Sequence, residues 1–188
     1  MGDIDGQLYR RFLTDNDQDA LGSLYEEYKD SLMLFIYGMI RDMDEAEELM
    51  MDTFAVLASG TAKYREKNNS SFKTWLFAIA KNKACQFLRR QRRFLSSEES
   101  DVEEIADTNR LPEDEMLENE KNKILYHALE KINPSYRQVL YLMYFEDLKH
   151  DQIGRIMSKT TKQTYNLAAR GKVALRAELE RMGATWDM

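Results

Sequence analysis

Cysteine, proline and glycine are all scarce in this chain, and each scarcity excludes something. A single cysteine, Cys85, leaves no partner for an internal disulfide, and its place in an amphipathic stretch suits a small core residue. Two prolines and eight glycines among 188 residues, beside 11 methionines, leave little of the punctuation that short strands and hairpins require. Period-two alternation is absent over any useful length, so the expected fold class is all-α. The longest apolar run, Leu32 to Ile40, falls far short of the ~20 residues of a membrane-spanning helix. His127 and His150 stand without a cysteine or carboxylate cluster at ligand spacing, so neither a metal nor a cofactor is expected. No Ser/His/Asp set or glycine-rich phosphate loop is visible, which makes an enzyme the least favoured class. The opening, with Asp3 and Asp5, lacks a basic-then-apolar leader, and the expectation is a cytoplasmic protein without direct membrane insertion.

What the chain does have is charge in blocks. Its formal net charge is −6, which taken alone argues against a polyanionic partner. Residues 1–62 hold 14 acidic and 4 basic side chains (net −10), but residues 63–93 hold 10 basic and 1 acidic (net +9). Residues 94–120 swing back to 11 acidic and 1 basic (net −10), and residues 149–181 hold 8 basic and 3 acidic (net +5). Two basic surfaces are therefore expected within an acidic protein. The plain alternative is charged helices that alternate in sign without consequence.

The stretch Ser70 to Arg93, SSFKTWLFAIAKNKACQFLRRQRR, predicts a helix capped by Ser70 or Ser71. Phe72, Trp75, Leu76, Ile79, Ala80 and Phe87 recur at helical spacing and form its inward side. Lys73, Lys81, Lys83, Arg89, Arg90, Arg92 and Arg93 are left for the surface. A cationic face beside aromatic rings suits a polyanion with unstacked bases. Trp75 admits two readings, core or stacking platform, and its spacing with Phe72 and Ile79 favours core.

Before this helix, Leu21, Leu24, Tyr25, Tyr28, Leu32, Phe35 and Met39 predict one long amphipathic helix starting near Asp19. After a break at 41–43, Asp44 leads Glu47 in capping-box-like spacing. The next helix, from Glu45 to about Ala58, turns Ala46, Leu49, Met50, Thr53, Phe54 and Leu57 inward and Glu45, Glu47, Glu48 and Asp52 outward. Residues 94–117 carry dense like charge and no helical stripe, as a solvated linker would.

A second helical module follows over 118–188. Leu125, Leu129 and Ile132 close its first helix, and Asn133-Pro134 is an N-cap followed by proline at the first helical position. A short helix from about His150 to Met157, the turn Ser158-Lys159-Thr160 and a final helix to about Met182 make a helix-turn-helix. In that arrangement the start of the last helix meets base edges in the major groove, which here presents Thr161, Lys162, Gln163, Tyr165, Asn166 and Arg170. The expected architecture is thus two small helical domains, 1–93 and 118–188, joined by an acidic linker.

Taken together, three segments resemble the extracytoplasmic-function (ECF) group of bacterial RNA polymerase sigma factors. They are LYEEYKDSLMLFIYGMIRDMDEAEELMMDTF (Leu24 to Phe54), SFKTWLFAIAKNKACQFLRRQRR (Ser71 to Arg93) and ALEKINPSYRQVLYLMYFEDLKHDQIGRIMSKTTKQTYNLAARGKVAL (Ala128 to Leu175). Their order and separation carry more weight than any one alone. The resemblance implies a non-enzymatic protein that binds RNA polymerase core and directs it to promoters.

It also implies residue roles. Asp44, Glu45, Glu47, Glu48, Asp52 and Phe54 would dock on the polymerase core, where composition alone suggests only a solvated acidic face. Tyr64, Asn68, Asn69, Ser70 and Ser71 would form a pocket for a flipped base of the non-template strand, since such a base needs polar edges and an aromatic wall. Lys73, Lys81, Asn82, Arg89, Arg90 and Arg93 would hold phosphates and adjoining duplex of the downstream element. The last helix would read the upstream element. The acidic linker would enter the polymerase's basic channels, or serve only as a spacer. Many relatives are held inactive by an anti-sigma protein, frequently membrane-anchored, and the resemblance admits such a partner.

The last helix departs from the family pattern. Leu167 and Ala169 occupy positions that are often basic or histidine in relatives, and Thr164, Ala168 and Gly171 make its inward side small. Gly171 costs about 1 kcal/mol relative to alanine in mid-helix, and close packing against the short helix would account for it. The competing function is a stand-alone helix-turn-helix regulator binding an operator without polymerase. It would need dimerisation across two half-sites and leaves the Ser70 to Arg93 helix without a role.

Overall fold

The computed structural model describes residues 3–65, 70–97 and 120–184, which contain eight α-helices and no strand. The chain divides into two compact units, Met1–Leu111 and Pro112–Met188, and the division falls inside the stretch read as linker.

The first unit comprises α1 (Ile4–Asp15), α2 (Gln18–Ile40), α3 (Met43–Ala58) and α4 (Phe72–Ser97). The sequence reading missed α1, whose inward positions are only Gly6, Tyr9 and Phe12. Its first three helices all start on aspartate. Asp3, Asp17 and Asp42 accept from the backbone N–H of Gly6 (3.3 Å), Ala20 (3.1 Å) and Glu45 (3.1 Å), caps worth about 1 kcal/mol each. Asn16 (φ 54°) and Arg41 (φ 63°) end α1 and α2 in the left-handed conformation, so each connection needs only one further residue. The cap of α3 is therefore Asp42 rather than Asp44, which already lies in the first helical turn.

Helix α2 is the centre of this unit and packs against α1, α3 and α4. Residues 32–38 are buried on every side, which explains the apolar run Leu32 to Ile40: a helix surrounded by others needs no polar face. Helix α4 lays Phe72, Leu76, Phe77, Ala80 and Ala84 into the core, each at 0% exposure. Phe77 and Ala84 were not among the expected inward residues, while Trp75, Ile79 and Phe87 are only half-buried. Helix α4 also runs four residues past the expected domain end at 93; the rest of the expected linker, 98–117, lies outside the described residues.

The second unit comprises α5 (Glu120–Glu130), α6 (Pro134–Tyr144), α7 (His150–Met157) and α8 (Thr161–Arg181), with α8 packed on the other three. Asn133 caps α6 through Ser135 N–H (2.9 Å) with Pro134 at the first position, as the sequence predicts. The turn from α7 to α8 also matches: Ser158 ends α7 with φ 56°, and Thr160 caps α8 by accepting from Gln163 N–H (3.2 Å). Gly154 is required there, because a Cβ would lie 2.7 Å from the Lys159 carbonyl oxygen. At Gly171 a Cβ would meet Leu140 and Tyr136 at 3.1–3.2 Å, so its close neighbour is α6 and not the short helix.

Two buried polar groups hold this unit. Arg137, 8% exposed, donates from Nε to Leu129 O (2.9 Å) and from Nη2 to Glu130 O (2.8 Å) and Ile132 O (3.1 Å). It thereby satisfies carbonyls that the end of α5 and the turn after it leave without intrahelical partners. Thr164, fully buried, sets its hydroxyl 2.9 Å from the His150 carbonyl and 2.7 Å from the Thr161 carbonyl, tying α8 to the start of α7. The His150 ring lies against Tyr165 (centroids 3.7 Å apart), and among the described residues its buried Nδ1 has no hydrogen-bond partner.

Replacing Arg137 by Ala should destabilise the second unit by about 1–3 kcal/mol, because buried carbonyls lose their donor; urea unfolding of the full chain followed by circular dichroism measures it. Burial, and secondarily the Lys172 ammonium, pull the His150 imidazole below its usual range. Neutral His150 is thus favoured in the folded state. That contribution is complete above the ordinary histidine pKa of about 6.5 and is lost as pH falls below it toward the lowered folded value. Urea midpoints should drop between about pH 7.5 and about pH 5.5, and His150→Asn should shrink the drop.

Candidate nucleic-acid and partner interfaces

The acidic face of α3 is present, with two amendments. Asp44, Glu47 and Glu48 are exposed and Glu45 is half-buried. Burial, then the neighbouring charges of Glu48, Asp42 and Asp44, push the Glu45 carboxyl above its ordinary range, a mark of crowded like charge. Asp52 pairs with Lys83 of α4 (3.2 Å), so its charge is shared with the basic helix. Phe54 does not belong to this surface: it is 6% exposed and meets Tyr25 edge-on at 5.1 Å, beneath the face it was expected to join. The residue that the sequence reading omitted is Met51, half-exposed in line with Asp44 and Glu48, with its sulfur 3.7 Å from the Tyr25 hydroxyl. A helix pattern scored for charge passes over one apolar residue in an acidic row.

The basic helix is organised differently from a single cationic face. Its outward row is Trp75, Ile79, Asn82, Gln86, Arg89 and Arg93, spaced four and three in alternation, half-buried at the start and exposed from Asn82 on. Cations therefore concentrate in the last third, where Arg89, Arg90, Arg92 and Arg93 are all exposed. Lys73 and Lys81 are half-buried off this row, and the Lys73 ammonium sits 5.7 Å from the Tyr28 ring centroid. From Trp75 to Arg93 the row spans about 27 Å at 1.5 Å per residue, roughly three-quarters of a ~34 Å turn of duplex DNA.

The expected base pocket is only partly described. Asn68 and Asn69 lie outside the described residues. Ser71 Oγ takes the Thr74 N–H (3.3 Å) and so serves as the cap of α4, as expected. Tyr64 is a correction. It is 9% exposed, its ring packs on Phe72 (5.6 Å) and Trp75 (5.5 Å), and its hydroxyl hydrogen-bonds to the Asp3 carboxylate beside the Ser70 carbonyl (2.9 Å). It is a strut under the loop and not an open wall of a pocket. Trp75 has one side against Tyr9 and Tyr64 (5.5 Å each) and is neither fully core nor an open platform.

On α8 the expected readers fall into two rows. Lys162, Asn166 and Arg170 repeat every four residues and are all exposed; Asn166 and Arg170 line a shallow groove with Lys159, Gln163 and Leu167. Thr161 and Tyr165 are exposed on the neighbouring row, where Tyr165 rests on His150. Gln163 is engaged locally, since its Oε1 accepts from Thr160 N–H (2.8 Å) and completes the capping box. A bidentate pairing of this side chain with adenine would have to break that bond. Among the described residues no group of histidines, cysteines and carboxylates is arranged to hold a metal, and no helix is long and apolar enough to cross a membrane.

Comparison with known proteins agrees with this layout. Residues 24–94 match the Sigma-70 region 2 family and residues 122–175 match the Sigma-70, region 4 family. The chain is 29% identical over 145 residues to the ECF RNA polymerase sigma factor BldN of Streptomyces coelicolor, covering 76% of this chain and 54% of that relative. It is 28% identical over 171 residues to the ECF sigma factor SigW of Bacillus subtilis, covering 87% and 90%. The fold resembles CnrH, solved in complex with the cytosolic domain of CnrY (TM-score 0.63, 18% identity, 95% and 99% covered). It resembles equally the sigma factor RpoE of Bartonella quintana, solved with the anti-sigma factor NepR (TM-score 0.63, 18% identity, 85% and 96% covered). With both regions matched in order and ECF sigma factors among its relatives, the chain belongs to the ECF group of RNA polymerase sigma factors.

Proposed function

We propose that this chain binds bacterial RNA polymerase core, brings it to promoters and promotes strand opening for transcription initiation. The observation that carries this reading is that regions 2 and 4 of Sigma-70 are matched in that order within one chain. The first unit docks on core through the α3 row Asp44, Glu47, Glu48 and Met51, with Glu45 at its edge. It captures the non-template strand between the Ser70–Ser71 end of the loop and the outward row of α4. The second unit reads the upstream element with Lys162, Asn166 and Arg170, while Thr161 and Tyr165 line its flank.

Opening costs roughly 1.4 kcal/mol for each stacked step lost. Capture of unstacked bases on aromatic or guanidinium groups gives ~1–3 kcal/mol per base, enough to offset it. Strand opening then needs no bond made or broken by this protein, so it acts as an initiation factor and not an enzyme, in the compartment of the polymerase. The partners are polymerase core and promoter DNA, both duplex and single-stranded. An anti-sigma protein, like that bound to RpoE, is a further partner class. Stand-alone operator binding leaves both the region 2 match and the α4 row without a role.

Run-off transcription with purified core polymerase tests the proposal: correctly started transcripts should depend on the protein, and failure to bind core or to initiate would refute it. Reversing Glu47 and Glu48 to Lys should weaken core binding roughly tenfold at low ionic strength and less at high salt. Asn166→Ala should relax base preference in a panel of upstream-element variants by about 1–3 kcal/mol at one position. Arg89→Ala should instead weaken binding evenly across sequences and lower the salt dependence.

A further inference from the structure

We propose that Asp3 is a positioning residue for promoter-strand capture: with Gly6 and Tyr9 it clasps both ends of the connection between α3 and α4, and so sets how Tyr64, Ser70 and Ser71 are presented to DNA. The inference rests on the strand-capture reading and goes beyond it. Asp3 caps α1 and Gly6 and Tyr9 lie in it, all before residue 24, where the region 2 match begins.

The hydrogen bonds are specific. Asp3 Oδ1 accepts from Gly6 N–H (3.3 Å), holding the carboxylate at the start of α1. Asp3 Oδ2 accepts from Phe72 N–H (2.8 Å), the first residue of α4, and from the Tyr64 hydroxyl. The Tyr9 hydroxyl, buried in the same cluster, donates to the Ala62 carbonyl (2.8 Å). Ala62 and Tyr64 are where the chain leaves α3's end, and Ser70 and Phe72 are where it enters α4. All are attached, directly or through Tyr64, to the first turns of α1.

Gly6 makes the clasp possible. A Cβ there would lie 2.6 Å from both Asp3 Oδ2 and Tyr64 Cε1, so the carboxylate and the ring lie directly against α1's backbone. The Tyr64 ring in turn packs on Phe72 and Trp75. Trp75 opens the outward row of α4, so the clasp also fixes the first member of the DNA-facing row. Ser70 and Ser71, already held at the entry to α4, lose less conformational freedom when a base is taken up there, and binding is tighter for it. Asp3 itself need never touch DNA.

The test uses holoenzyme reconstituted from core and the full chain, with promoter DNA carrying 2-aminopurine at the captured non-template position. Asp3→Ala should lower captured-base signal about fivefold on both duplex and pre-melted promoters, with core affinity within twofold of wild type. Discrimination between the preferred base and a substituted base should fall toward unity. A variant that was merely less stable would lower binding to both bases alike. Asp3→Asn, which keeps one acceptor oxygen, should recover part of the discrimination. Gln7→Ala, on α1's exposed side, should match wild type. Wild-type capture and discrimination in Asp3→Ala would overturn the proposal. If Asp3→Ala loses core binding and so fails as a folded protein, Tyr9→Phe and Gly6→Ala decide, and wild-type discrimination in both would overturn it. Absence of signal from wild-type holoenzyme would instead refute strand capture, and the clasp with it.

Discussion

The Asp3 carboxylate sits where the N-termini of two helices, α1 and α4, converge. An ionised carboxylate accepts up to about four hydrogen bonds, and this one accepts from α1, from α4 and from the Tyr64 hydroxyl. Both helix ends carry partial positive charge, so one anion serves two dipoles. Around it Tyr9, Tyr64, Phe72 and Trp75 pack ring against ring at 5.5–5.6 Å. That cluster is why Trp75 ends half-buried at the head of a row whose later members, Asn82 to Arg93, face solvent.

The second unit solves the opposite problem with the opposite charge. The end of α5 and the turn after it leave carbonyl oxygens without intrahelical partners, and the buried Arg137 guanidinium reaches three of them. Its planar fork suits several acceptors at once, which a lysine ammonium would not match. Gly154 and Gly171 then let backbone and α6 come close where side chains would collide. The result is a short helix and a longer one held rigidly at their turn, with Lys162, Asn166 and Arg170 turned to solvent.

The rows proposed to meet partners are surfaces that the interior does not need. The α3 row combines carboxylates with Met51, and the α4 row combines aromatic, amide and guanidinium groups. A protein partner and an unstacked strand require different mixtures, apolar with anionic in one case and cationic with aromatic in the other. Asp52 and Lys83 pair between the two helices, so the acidic and basic surfaces adjoin within one unit.

Local chemistry by itself determined much of this. Spacing and caps placed α2 through α8 to within a few residues, because amphipathic periodicity and a residue such as Asn133 before Pro134 act over one or two turns. The charge blocks located both basic surfaces and the acidic helix. What only the tertiary structure decided were the long-range partners. Asp3 meets Phe72 across 69 positions, and no pattern within a helix turn encodes that. The same limit hid the burial of Tyr64, the capping role of Gln163 and the reason for Gly171, which is α6 and not α7. Periodicity reports which side of a helix is apolar; which neighbour covers that side is settled only when the whole chain packs.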